Sequence, residues 1–274
     1  MAPQVREALR TLEAAVELPT FVPATSTKQF TLAANDFTTM VLASPLLQIL
    51  VREAPAVDLT IKPVTRIDLA EQIDLGRIDV AIGVFSLPPA RFRTSLLFEY
   101  DDVLIVGGKR KLGRLDKAKL ARQPLVVVSF GGEQEGAIDG FISERGLARR
   151  SEMYDRAALE RALSASDHPP RIAVSLPHFL ALPALLVDSE LAAIVPRPLA
   201  GALEQTHGTT TYELPYPTTP VEVRRYGTNV SRASHHTNGF TKFSGARLRS
   251  SGVADSRQRP SLGQNGSMSL SSCK

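Results

Sequence analysis

The chain has 274 residues, 43% of them hydrophobic, which suffices for one large core or two lobes and is too much for wholesale disorder. Its net charge of +4 is misleading: seven Lys/Arg against one acid beyond residue 225 contribute +6, so residues 1–225 carry −2 and offer no broad cationic footprint for nucleic acid. A single cysteine, Cys273, excludes an internal disulfide framework and a cysteine metal site.

No apolar run is long enough to span a bilayer. Residues 2–17 instead place Val5, Leu9, Leu12 and Val16 on one helical stripe. They lack the basic-then-apolar layout of a secretory signal, so cytoplasmic residence is expected. A connector with Pro19 and Pro23 follows over residues 18–25.

Residues 29–84 then alternate strand and helix patterns. Three short β-type runs cover 30–34, 57–63 and 79–83. The middle run sets Val57, Leu59 and Ile61 against Asp58, Thr60 and Lys62, so one face is wetter than the other. The helix between the first two starts at Asn35-Asp36, both good N-cap residues. It carries Leu42, Leu46, Leu47, Leu50 and Val51 at helical spacing and stops at Glu53-Ala54, before Pro55. This βαβ rhythm predicts an α/β fold with a mostly parallel sheet.

After Gly83 comes a loop holding Pro88-Pro89. Residues 94–106 give strand-like runs broken at Asp101-Asp102, and 107–111 form a polar break. The pattern then repeats. Strands are predicted over 124–130, 171–175, 191–195, 209–214 and 220–225. Helices are predicted over 137–144, 153–164, 177–187 and 198–204, with a loop at 131–136. Pro177 suits a first helical turn, where a missing N–H costs nothing.

Chemistry-bearing motifs are absent: no Gly-x-Ser-x-Gly elbow, Walker loop, His-Glu-x-x-His or dinucleotide fingerprint occurs. The glycine-rich residues 131–136 include two glutamates, Glu133 and Glu135, and would repel phosphate. Asp101-Asp102 reads as a surface turn, because strand neighbours point to opposite faces and cannot form a catalytic dyad. His178 has no visible nucleophile partner. These features predict no catalysis, no cofactor and no metal.

The order of these elements carries a resemblance. The small turn Ala33-Ala34-Asn35-Asp36, then Leu50-Val51-Arg52-Glu53-Ala54-Pro55, then Leu75-Gly76-Arg77-Ile78-Asp79-Val80-Ala81-Ile82-Gly83, resembles the start of the effector-binding domain of LysR-type transcriptional regulators. Ser175-Leu176-Pro177-His178-Phe179-Leu180 and Ala193-Ile194-Val195-Pro196-Arg197-Pro198 resemble the subset that includes nodulation regulators and regulators of aromatic catabolism. The likeness continues to about Arg225.

The resemblance implies a two-lobed, type 2 periplasmic-binding-protein-like fold, each lobe a mixed, mostly parallel sheet flanked by helices. Residues 1–17 would be the remnant of a linker helix, 18–107 the first part of lobe I, 108–196 lobe II, and 197–225 the return to lobe I. The family's winged helix-turn-helix is not found in this chain, so DNA would be reached only through a missing N-terminal reader. A small-molecule effector, homo-oligomerisation as dimer or tetramer, and no membrane role are implied. The cleft would be lined by Asn35, Asp36 and Phe37; Gly83 and Val84; Ser129 and Phe130; Pro177, His178 and Phe179; and Val195 and Pro196. Phe37, Phe130 and Phe179, with Phe85, suggest an apolar, aromatic ligand. Asp36 stands where many family members place Ser or Thr. Alternatives on the same fold are an exported solute-binding protein and, less favoured, an enzyme.

Residues 226–274 change character, with eleven serines in 49 residues and no helical period. The family ends on a Trp-His-Glu-Arg helix, yet this chain has no tryptophan. Codons for Tyr226-Gly227-Thr228-Asn229-Val230, shifted by two nucleotides, can encode Trp-His-Glu-Arg. A frameshifted, disordered tail is therefore expected.

Overall fold

A computed structural model describes residues 22–64, 67–86, 90–130, 137–138, 141–144, 147–166 and 169–228. The expected linker helix, the glycine-rich loop at 131–136 and the tail beyond 228 lie outside the described residues.

Strand β1 (Gln29–Ala33) leads into helix α1 (Asp36–Glu53), then β2 (Asp58–Lys62), α2 (Leu69–Asp74) and β3 (Val80–Gly83). β1 pairs in parallel with both β2 and β3, as the βαβ rhythm predicts. The Asn35 side chain caps α1 by accepting the Thr38 N–H at 2.8 Å. The apolar stripe of α1 is narrower than its sequence suggests. Leu42, Leu46, Ile49 and Leu50 are buried, but Leu47 and Val51 are 47% and 73% exposed. Only one side of the helix meets the body, so residues one position past the stripe turn to solvent.

The first sheet is completed by β14 (Val221–Thr228) and β5 (Phe92–Tyr100), in the order β2-β1-β3-β14-β5. β14 runs antiparallel to both neighbours. It extends three residues past the expected start of the tail. Tyr226 is buried there, its ring edge-on to Phe85 at 4.2 Å between centroids.

The second sheet has the order β11-β7-β12-β6-β13. Its centre is β7 (Leu125–Val128), β12 (Ala192–Pro196) and β6 (Asp102–Val106), all buried along their whole length. Continuous apolar runs of this kind belong to strands covered on both faces. The edges are β11 (Ile172–Leu176) and β13 (Thr210–Tyr212). Helices α3 (Lys117–Ala121), α4 (Arg156–Leu163), α5 (Leu182–Leu186, after a 3-10 turn at Phe179–Ala181) and α6 (Arg197–His207) surround it.

The lobe boundaries differ from expectation. β6 already belongs to the second sheet, so the chain crosses over at Asp101 rather than at Gly107. β13 is still in the second sheet, so the return falls between Tyr212 and Val221 rather than at Arg197. Arg197 holds the two crossings together. Its guanidinium donates to both Asp101 carboxylate oxygens (2.6 and 2.7 Å) and both Glu213 oxygens (2.8 Å each).

The helix expected over 137–144 does not form. A third, small sheet takes its place, with β4 (Phe85–Ser86), β10 (Leu147–Arg150), β9 (Phe141–Glu144) and β8 (Ala137–Ile138) in that order. β8 and β9 pair with Ile138 opposite Phe141, and the two residues between them are Asp139-Gly140. That dipeptide is a strong hairpin signal, and it outweighs the apolar spacing. β10 pairs with β4, which follows β3 of the first sheet, so this sheet spans from one lobe to the other.

Side-chain alternation sorts the core. Leu104 and Val106 face a cluster with α4, while Val103 and Ile105 face a larger one. The larger cluster is shared: Leu42, Leu46 and Phe98 of the first lobe pack with Val126, Val195 and Leu203 of the second.

Candidate functional site

Of the expected cleft residues, Phe37, Phe130 and Phe179 come together in the core shared by the two sheets. Phe37 sits edge-on to Tyr100 (5.3 Å), Phe179 (6.0 Å) and Phe98 (6.3 Å), and Phe130 to Phe179 (6.3 Å). Phe37 and Phe179 have no exposed surface. Val195 and Pro196 are buried in β12. Gly83 ends β3, where an added Cβ would lie 3.1 Å from the Phe85 ring. Ser129 and Phe130 are held by backbone bonds to Leu176 and Ser151. Pro177 and His178 are exposed, and His178 makes no side-chain cap on the turn that follows it.

Asp36 does something the sequence does not show. One carboxylate oxygen accepts the N–H groups of Phe179 (2.5 Å) and Leu180 (3.0 Å), across 143 and 144 residues of chain. The other accepts its neighbour Phe37 N–H at 3.0 Å. The carboxylate thus ties the first turn of α1 to the second lobe.

Open space lies beside this packed end. A cavity of about 730 Å³ is walled by Val84, Phe85 and residues 219–222 on the first-sheet side, and by Arg150, Glu152, residues 154–157 and Glu160 on the other. Its size is that of small-molecule sites. Of the expected site residues, Val84 is in its wall. Arg150, Glu152, Tyr154, Asp155 and Arg156 were missed. Their signal was a dense run of charge ending in the Asp155 N-cap of α4, which accepts the Ala158 N–H at 2.8 Å. Nothing local told that this run faces the opposite lobe.

The electrostatics centre on the first crossing. Asp102, expected in a surface turn, is 5% exposed, and its Oδ1 has no hydrogen-bond partner. Burial pushes its pKa up to about 6, with the Arg150 charge opposing and Asp101 and Asp155 adding to the rise. Burial also raises the Tyr100 hydroxyl, again against Arg150. The Tyr100 and Tyr154 hydroxyls lack a bond of proper geometry; the arginines beside them supply charge. Arg150 is oriented by its Nε donating to the Glu152 carbonyl at 2.7 Å. Arg156 lies 3.3 Å from the Glu152 carboxylate. Among the described residues no group of three or more His, Cys, Asp or Glu is placed to hold a metal ion, and no helix is long and apolar enough to cross a membrane.

Two mixed sheets joined by two crossings, with a cavity between them, define a two-lobed domain of the periplasmic-binding-protein kind. Residues 24–154 match the family model of the LysR substrate binding domain. It is 26% identical over 217 residues to the HTH-type transcriptional activator NagR of Ralstonia sp, covering 77% of this chain and 64% of that protein. It is 30% identical over 215 residues to Nodulation protein D 3 of Rhizobium leguminosarum bv. phaseoli, covering 75% and 62%. The chain therefore spans a little under two thirds of the length of these relatives. Among solved structures, the probable transcriptional regulator PA0477 from Pseudomonas aeruginosa has a TM-score of 0.63 at 25% identity, over 90% of this chain and 75% of that one.

Proposed function

We propose that this chain is the effector-sensing and oligomerising part of a LysR-type transcriptional regulator. It binds a small molecule between its lobes and does no catalysis. The observation that carries this is the cavity, whose walls come from both lobes beside the paired crossings. A ligand bridging such walls favours one lobe arrangement only by its difference in affinity between arrangements. The lobe arrangement is what the rest of a regulator would read. The domain family and the regulator relatives support this over an exported solute-binding protein or an enzyme. Cytoplasmic residence and assembly into a dimer or tetramer fit the same proposal.

The test is thermal shift of the chain against a panel of small aromatic and aliphatic compounds. A ligand specific to the native state raises the unfolding temperature in a dose-dependent way, by RT ln(1 + [L]/Kd), about 2.7 kcal/mol at 100 Kd. Val84→Trp, which fills the cavity from its wall, should abolish that rise. A hit whose effect survives Val84→Trp would place binding elsewhere.

A further inference from the structure

We infer that the interlobe cavity takes an organic cation, an amine-bearing molecule with an apolar body, and not an acid. This deepens the effector-binding proposal and rests on it.

The first observation is the charge of the walls. Arg150 and Arg156 face four carboxylates, those of Glu152, Asp155, Glu160 and Glu222. Each arginine has a contact to Glu152. Arg150 is bonded to the Glu152 carbonyl, and Arg156 is paired with the Glu152 carboxylate. Glu222 is held by Arg224 at 2.7 Å, just outside the cavity. An incoming anion meets surplus negative charge.

The second observation is independent of the wall count. Tyr154, itself a wall of the cavity, is 3% exposed, and its hydroxyl, beside Arg156, makes no hydrogen bond of proper geometry. Asp102 stands next to Arg150 and Asp155, both wall residues, with a buried oxygen that accepts nothing. Buried polar atoms are normally satisfied, so the unmet Asp102 oxygen, an acceptor behind the Arg150 and Asp155 wall, points to a donor that arrives with a ligand. An ammonium group supplies three donors and a positive charge. The Phe85 ring adds an apolar and cation-attracting face.

The third observation removes the competing site for an acid. The backbone N–H groups of Phe179 and Leu180, which would suit a carboxylate, already hold that of Asp36.

Three probes of one shape but different charge test this: benzylamine, benzyl alcohol and benzoate, each titrated into the full chain at pH 8 and fixed ionic strength. Calorimetry and thermal shift provide the readout. Benzylamine should bind at least tenfold more tightly than benzyl alcohol, and benzoate should give no shift. Asp102→Asn should weaken benzylamine at least tenfold while the unliganded protein keeps or gains thermal stability. Glu160→Gln, near the surface end of the wall, should weaken it about threefold. Benzoate binding as tightly as benzylamine, or an unchanged benzylamine affinity in Asp102→Asn, would overturn the inferred charge and leave the effector site standing. Silence from all three probes, together with silence from the wider panel, would remove the effector site and this inference with it.

Discussion

Asp102 concentrates the unusual energetics of the molecule in one side chain. Its carboxylate is buried at the crossing between lobes with one oxygen unpaired. Its folded value of about 6 lies above the ordinary carboxylate value of about 3.9. Between those values the folded state keeps a proton that the unfolded chain releases. Stability from this group is therefore present at low pH, declines as pH rises from about 4 through about 6, and is gone above that. Asp102→Asn, which cannot ionise, should exceed the parent by about 3 kcal/mol at pH 8 and match it near pH 4. Urea unfolding at the two pH values measures this. An equal gap at both would mean that the charge is not what burial penalises. Asp36 is the opposite case. It is also a carboxylate between lobes, but its oxygens are supplied with three backbone N–H groups. Its ability to cap the start of α1 was legible from Asn35-Asp36; its partners Phe179 and Leu180 were not, because they lie in a different lobe.

Among the elements, α1 separates pattern from packing most clearly. Five apolar residues share its sequence stripe, yet Leu46 is buried while Leu47 is nearly half exposed. Leu46→Ala should cost about 2–5 kcal/mol, since it leaves a cavity in the shared core. Leu47→Ala should change stability by less than about 1 kcal/mol. Denaturant midpoints of the two variants give the comparison, and a similar loss in both would mean that Leu47 is covered in solution. The strands were more legible than the helices. Residues 103–106, 125–128 and 192–195 read as unbroken apolar runs, and they are buried sheet centres. Over 137–144 the pairing of β8 with β9 replaces the expected helix, and the Asp139-Gly140 dipeptide between them is the hairpin signal in the sequence.

As a whole, the molecule is two five-stranded sheets, bridged by a smaller third and served by one principal core. Phe37, Leu42 and Leu46 from the first lobe share it with Phe179, Val195 and Leu203 from the second. Arg197 adds a polar tie between the two crossings. Neither lobe can lose its structure without exposing apolar surface on the other. Residues 22–228 should therefore unfold in one transition, with far-ultraviolet circular dichroism and calorimetry giving coincident midpoints. Two resolved transitions would show that the shared core is too weak to couple the lobes.

Local pattern was enough to establish the strand-helix alternation and the cap at Asn35, since periodicity and capping act over a few residues; the two-lobed class came from the resemblance. Tertiary structure decided which phenylalanines became core, where the chain changes sheets, and which residues wall the open cavity. Burial and hydrogen bonding between segments more than a hundred residues apart, as for Asp36 and Phe179, depend on where folded elements meet and leave no mark in local spacing.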